Sequence, residues 1–334
     1  MASIEILKKV AKISKRTGFT SLCYFLNKNR KRIIAYHNII PDEYFDDSLH
    51  LSHSMKESSF KKQLEIIKDR LGFTLDIDDT SKVTLTFDDG YLNQYSVASK
   101  IMDEKSIKGY FFCVSNLIKN NEAFVMDKIQ YWFSYVPYGS YYIDQVDIRL
   151  DIKDKDSRTS EWKKIDNIIG EIPIEKVEDL LDNAYSFANI KIKDDYMNLR
   201  FRGISMEEID VMKKNGHKIG AHSSYHKKLS VMDKDELSKD ISICGDMLGD
   251  IYNTSIFCYP FGSRQDINSD VIEEIKSNNF THGFAYSNGS IEGGYDRYFM
   301  PRMFLHDTGD DDLIDFVLSG AKHFMSFRRL LPKY

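Results

Sequence analysis

Short apolar runs of strand length recur along the chain, at residues 33–37, 83–87, 109–114, 218–222, 255–259 and 283–286. Between them the apolar spacing changes to that of amphipathic helices, over 60–70, 94–104, 233–248, 269–277 and 310–324. Ser205-Met206-Glu207-Glu208 has the form of a capping box, and Gly216 is placed to end the helix it opens. Strands that alternate with helices, each strand apolar enough to be buried on both faces, predict a parallel α/β fold.

Residues 119–200 break this rhythm. They are rich in aromatics (Tyr131, Trp132, Phe133, Tyr135, Tyr138, Tyr141, Tyr142) and charges, and then give a helix-like run over 174–189. No Gly/Pro/Ser-rich linker bounds them and no internal repeat is visible, so they read as a mainly helical insertion within one catalytic domain, residues 33–334.

Charge separates off the N-terminus. The net charge is −5, but residues 1–32 hold nine Lys/Arg (Lys8, Lys9, Lys12, Lys15, Arg16, Lys28, Arg30, Lys31, Arg32) against Glu5 alone. That segment is therefore +8 and the remainder −13. An acidic body argues against nucleic acid as a partner, because phosphate binding needs a broad basic face. Ile4, Leu7, Val10 and Ala11 recur at helical spacing within the basic segment. They suit either a helix packed on the domain with solvated lysines, or one lying on an anionic membrane. No apolar run approaches the roughly 20 residues of a membrane span, and the first 25 residues lack a secretory h-region. The four cysteines, Cys23, Cys113, Cys244 and Cys258, are scattered without a CxxC pair. This predicts reduced thiols, no disulfide framework and a cytoplasmic protein.

Three strand ends carry chemistry. Thr86-Phe87-Asp88-Asp89-Gly90 places adjacent carboxylates after a buried strand, where one can bind a metal and the other stay free as a base. A hairpin Asp-Gly turn is the plain alternative, although the run from Gln94 onward has helical spacing and is no returning strand. His222-Ser223-Ser224-Tyr225-His226 sets two imidazoles four residues apart, on one side of a helical turn. Asp89, His222 and His226 together would leave an open coordination position, as catalytic zinc sites do. Cys258-Tyr259-Pro260-Phe261-Gly262 ends a strand in a turn able to present a backbone N–H to a reacting oxygen.

In this order, Thr-Phe-Asp-Asp-Gly, His-Ser-Ser-Tyr-His and Tyr-Pro-Phe-Gly resemble the polysaccharide deacetylase family, the NodB-homology or carbohydrate esterase family 4 proteins. Ile34-Ala35-Tyr36-His37 is similar to that family's first strand, and Gly216 to His222 to its approach to the histidine motif. The resemblance covers roughly 33–118 and 200–306. It implies a distorted (β/α) barrel with fewer than eight strands. It implies a divalent metal, most often Zn2+, on Asp89, His222 and His226, with Asp88 as general base and the Phe261 N–H at the oxyanion. The implied reaction is hydrolysis of an N-acetyl group on a sugar. Deformylation, O-deacetylation or a silent carbohydrate-binding role are the alternatives, and an intact Asp88 speaks against the last.

The chain departs from the family pattern in places. Cys258 stands where many members carry an arginine that orients the base, as in a subgroup with the Tyr-Pro-Phe-Gly motif, and Arg302 is the candidate replacement. Leu305-His306-Asp307 matches the segment that supplies the family's catalytic acid, which points to His306. No Asp-x-x-Asp-Trp segment is present near the C-terminus, so Tyr91, Tyr259 or the insertion must line the substrate. The expected substrate is a glycan precursor, such as a lipid- or nucleotide-linked sugar, with the basic segment meeting an anionic membrane.

Overall fold

Six of the apolar runs form strands: β1 (Arg32–Tyr36), β2 (Val83–Phe87), β3 (Tyr110–Cys113), β4 (Lys218–Ala221), β5 (Ile256–Cys258) and β6 (His282–Ala285). Two short ones come after them in the chain, β7 (Met300–Pro301) and β8 (Met303–Phe304). The structure is a computed structural model and describes residues 4–45, 53–120, 130, 132–143, 147–169, 194–286 and 296–327. All eight strands are parallel, in the order β7-β6-β5-β4-β3-β2-β1-β8.

The two shortest strands close the ring. They are separated only by Arg302 and lie at opposite ends of the strand order. Met300 pairs with Phe284 of β6, and Met303 with Ile34 of β1. Residues 300–304 thus act as one stave interrupted at Arg302, joining the two edges of the sheet. The distorted barrel is as expected: its hydrogen-bonded pieces number eight, but its staves are one fewer.

Side chains alternate across this wall. Ile33, Phe112, Cys258, Phe284 and Met300 belong to one cluster, inside the barrel. Ile34, Tyr36, Phe87, Phe111 and Tyr259 belong to another, shared with the surrounding helices. Those helices include α3 (Glu57–Arg70), α4 (Lys100–Glu104), α5 (Met206–Lys214), α6 (Lys234–Asp246) and α7 (Ser269–Ser277). The Ser205–Glu208 capping box is formed as the sequence predicts, and Asp233 and Glu236 make a second one on α6.

Three regions refine the sequence reading. The single helix expected over 310–324 is two, α8 (Asp311–Leu318) and α9 (Ala321–Phe327), divided at Gly320 with φ 83°. The described part of the insertion is mainly helical, as expected, with the helix Lys155–Ile169, but it also holds an antiparallel hairpin, Gly139–Ile143 with Ile148–Ile152. The run over 174–189 lies outside the described residues. At the N-terminus, α1 (Ile4–Arg16) and α2 (Phe19–Leu26) pack through Leu7, Ala11 and Cys23 onto Leu313, Phe316 and Val317 of α8. No helix among the described residues is long and apolar enough to cross a membrane.

Candidate active site

The inward positions of β1 and β2 run Ile33, Ala35 and His37, and Thr84, Thr86 and Asp88. By the same alternation Gly220 leads to His222 beyond β4. All three polar side chains therefore emerge at the C-terminal rim of the barrel, where such folds place their chemistry.

Asp89, His222 and His226 converge. Their ligand atoms all lie within 4.8 Å of one another. His222 Nε2 is 3.4 Å and His226 Nε2 3.2 Å from Asp89 Oδ1, yet that oxygen is buried and accepts no hydrogen bond. A buried carboxylate oxygen without a donor is costly. Two imidazole nitrogens aimed at the same point, with no donor between, are what a cation would resolve. Burial opposes the charge on Asp89, but His222 and His226 more than offset it and hold the carboxyl well below its usual range. His222 Nδ1 lies 2.8 Å from the Cys258 carbonyl, which as a hydrogen-bond acceptor fixes the proton there and leaves Nε2 facing Asp89.

The histidines do not share a helical turn, as their spacing suggested. The segment is a loop in which Ser223 (φ 59°) and His226 (φ 53°) are left-handed. Asp89 (φ 82°), Phe261 (φ 60°) and His53 (φ 73°) are left-handed too, so five of the eight such non-glycine residues described gather at this rim. Local strain of this kind concentrates at functional sites. Gly90 is required beside it, because a Cβ there would come within 2.8 Å of the Cys113 side chain.

Asp88 lies beside the cluster, its ligand atom within 4.8 Å of those of His222 and Cys258. Arg302 Nη1 donates to its Oδ1 at 2.6 Å and Nη2 to its Oδ2 at 2.7 Å, a buried bidentate pair. The Cys258 thiol lies 3.4 Å from Oδ1. Burial alone would raise this carboxyl; the Arg302 charge and hydrogen bonds win and hold it at about 2. Arg302 thus supplies, from the closing stave, the guanidinium that Cys258 lacks.

Other expectations need correction. The His306 ring lies against the α9 helix, with Nε2 3.2 Å from Lys322 Nζ, and the charge it feels is that of Lys322. Burial and that ammonium push it down to about 4. Besides His222, the imidazoles that feel both Asp88 and Asp89 are His37 and His53. His37 Nε2 is 3.8 Å from Asp88 Oδ2, and the two rings stack with centroids 4.6 Å apart. Burial, with His53 alongside, pushes His37 down to about 3, so it rests neutral. Tyr259 faces outward into the core and spends its hydroxyl on the Tyr298 carbonyl at 2.9 Å. Tyr91 is buried with Val114 and Leu117, its ring under the Arg200 guanidinium. Neither tyrosine is an open wall. Phe261 is in place: its ring centroid is 5.4 Å from that of His226, and no described group ties up its N–H.

Two positioning residues gave no sequence signal. Gln94 Nε2 donates to the His37 carbonyl at 2.9 Å and to that of Asp88, clamping the ends of β1 and β2 together. Asp240 of α6 accepts the Ser224 N–H at 2.9 Å and the Tyr225 N–H at 3.2 Å, holding the loop between the two histidines.

A family model for polysaccharide deacetylases matches residues 179–283, which include the histidine loop and the Tyr-Pro-Phe-Gly turn. No curated protein matches the chain in sequence. Among solved structures, the deacetylase PplD of Streptococcus pyogenes in complex with acetate is similar at 15% identity and TM-score 0.53, over 85% of this chain and 96% of that one. IcaB from Ammonifex degensii is similar at 14% identity and TM-score 0.51, over 86% of this chain and 97% of that one. At such identities the likeness is one of fold.

Proposed function

We propose that this chain, which carries a domain of the polysaccharide deacetylase family, hydrolyses the N-acetyl group of a sugar with a divalent metal on Asp89, His222 and His226. The observation that carries this reading is the buried, donorless Asp89 Oδ1 facing two imidazole nitrogens, with an ionised carboxylate beside it. Two nitrogens and one oxygen suit Zn2+ with a position left open. Such an ion would polarise the acetyl carbonyl and acidify the attacking water.

The protein groups do the rest. Asp88 takes a proton from water as its oxygen bonds to the carbonyl carbon, while Arg302 fixes the carboxylate's orientation. The Phe261 N–H donates to the developing oxyanion. The departing nitrogen must gain a proton as the C–N bond breaks. His37, neutral and 3.8 Å from Asp88, can receive the proton Asp88 has taken and pass it on. The products are acetate and the free amino sugar. A substrate component of a surface glycan, carried on a lipid, suits the basic N-terminal segment.

The test is mass spectrometry of N-acetylated sugars incubated with zinc-loaded protein, beside Asp88→Asn. The parent should release acetate. The variant should retain the metal and lose about 10²–10⁴ in rate. Full activity in Asp88→Asn with metal bound would assign the base elsewhere.

A further inference from the structure

Helices α1 and α2 carry two sets of apolar residues. One is spent inside the molecule: Leu7, Ala11 and Cys23 sit in the cluster with α8. The helical spacing of Ile4, Leu7, Val10 and Ala11 is largely this docking face. The second set faces water. Ile6 and Leu22 are 51% exposed, Ile13 61%, Leu26 64% and Phe25 66%. Of the eight described large hydrophobics with more than half their surface exposed, these five fall within residues 6–26. Ile6 and Ile13, seven apart, lie on one line of α1, and Lys9 and Arg16 on the line beside it. Leu22, Phe25 and Leu26 share one face of α2 by their i, i+3, i+4 spacing.

The basic residues divide in the same way. Arg32 is buried and donates to the Leu318 and Asn27 carbonyls. Lys15 pairs with Asp312, Lys31 with Asp78 and Lys8 with Glu5. Lys9, Lys12, Arg16 and Lys28 are exposed and have no acidic partner among the described residues. The Lys28 ammonium lies 5.2 Å over the Phe25 ring, so charge and apolar surface are interleaved.

We infer that this face of α1 and α2 docks on an anionic lipid surface. Ile6, Ile13, Leu22, Phe25 and Leu26 enter the headgroup layer, and Lys9, Lys12, Arg16 and Lys28 meet the lipid charges. Charge complementarity selects this occupant. Residues 1–32 carry +8 and the remainder −13, so an anionic bilayer attracts this face and repels the rest of the molecule. The same asymmetry sets the orientation. The docking face holds both helices on α8, so the exposed side chains are presented on a fixed support.

The experiment is co-sedimentation of the full-length protein with phosphatidylcholine vesicles, with and without phosphatidylglycerol. Binding should require phosphatidylglycerol and fall as salt is added. Each surface Lys or Arg contributes roughly fivefold in affinity, so replacing Lys9, Lys12 and Arg16 together by Glu should lose at least about a hundredfold. Phe25→Ser with Leu26→Ser should also release the protein. All five positions are exposed, so both variants should melt with the parent and cleave a soluble sugar substrate equally. Absence of binding to anionic vesicles, equal binding to neutral ones, or capture only by an acidic protein would each overturn the inference. The outcome is independent of the deacetylase reading, because vesicle binding is measured without substrate.

Discussion

The Asp88 carboxylate sits 2% exposed with a guanidinium on both oxygens, and two opposed effects set its behaviour. Burial favours the neutral acid, the Arg302 charge favours the anion, and at about 2 the charge prevails. The folded value lies below the unfolded one of about 3.9. The pair therefore adds stability above that pH and loses it as the pH falls towards the folded value. Arg302→Ala removes the winning effect and leaves the desolvation. The low-pH limb of the rate profile should move to higher pH, and stability at pH 7 should fall by about 3–5 kcal/mol. Arg302→Lys keeps charge but not the fork and should fall between. An unmoved acid limb in Arg302→Ala would mean that Asp88 is not the base being measured. The leaving-group acid divides two histidines: His37→Ala should lose about 10²–10⁴ in rate, whereas His306→Ala should keep the parent's rate. The reverse pattern would restore His306. Asp88, Asp89, His222 and His226 were legible because each stands in a strand-end motif, and Arg302 only as a replacement for the arginine absent at Cys258. His37 was visible only as the end of Ile34-Ala35-Tyr36-His37, which is similar to the family's first strand but marked no role for its histidine. His53 arrives from a loop with no pattern to betray it. Tyr259 belongs to the turn motif, but alternation puts Cys258 inside the barrel and Tyr259 outside.

The histidine loop shows how an element of few residues is held so that two imidazoles meet one carboxylate. Helix spacing brings i and i+4 together at no conformational cost, but here the chain uses two left-handed residues, and the geometry must be maintained from outside. Asp240 does so from α6, accepting the buried Ser224 N–H and the part-buried Tyr225 N–H. Removing it in Asp240→Ala should cost about 1–3 kcal/mol per orphaned donor and weaken metal binding about 10–100-fold, read by competition with a chelator. Asp240→Asn keeps one acceptor and should lie between. Burial raises the Asp240 carboxyl to about 6. Since that exceeds its unfolded value, the native state binds the proton more tightly, and the contribution of this group to stability falls as pH rises from about 4 to about 6. The difference in unfolding free energy between parent and Asp240→Asn should therefore shrink across that window and be flat above it. A difference constant with pH would show that Asp240 does not titrate in the fold. Nothing in the sequence marked Asp240, because one acid among the charges of an amphipathic helix reads as solvated until the loop packed against it is known.

At the scale of the whole molecule, the parts that were read correctly are the buried ones. Apolar runs of strand length announced six staves, but the seventh, Met300 to Phe304, contains Pro301 and Arg302 and offers no such run. The hairpin in the insertion was missed for a related reason: Gly139–Ile143 is mostly exposed and rich in tyrosine, so no apolar alternation marked it. The spacing of the N-terminal segment suits a helix packed on the domain or one lying on a membrane, and one face of it is packed on the domain. Leu7 is 1% exposed against α8, and Lys15, Tyr24 and Arg70 all converge on Asp315 of that helix, tying α1, α2 and α3 to one carboxylate. Met303 of the closing stave lies in the same cluster, so α1 and α2 cover the seam at which the barrel joins. The segment should then unfold with the barrel. Leu7→Ala leaves a cavity at this seam and should lower the unfolding free energy by about 2–5 kcal/mol in a single urea transition. A detachable arm would instead leave the transition of the barrel where it was, with only the helical signal of residues 4–26 lost early. Because the exposed face of the same helices carries no packing load, Phe25→Ser should leave that transition unmoved, and the two variants together separate what the segment does for the fold from what it does at a surface.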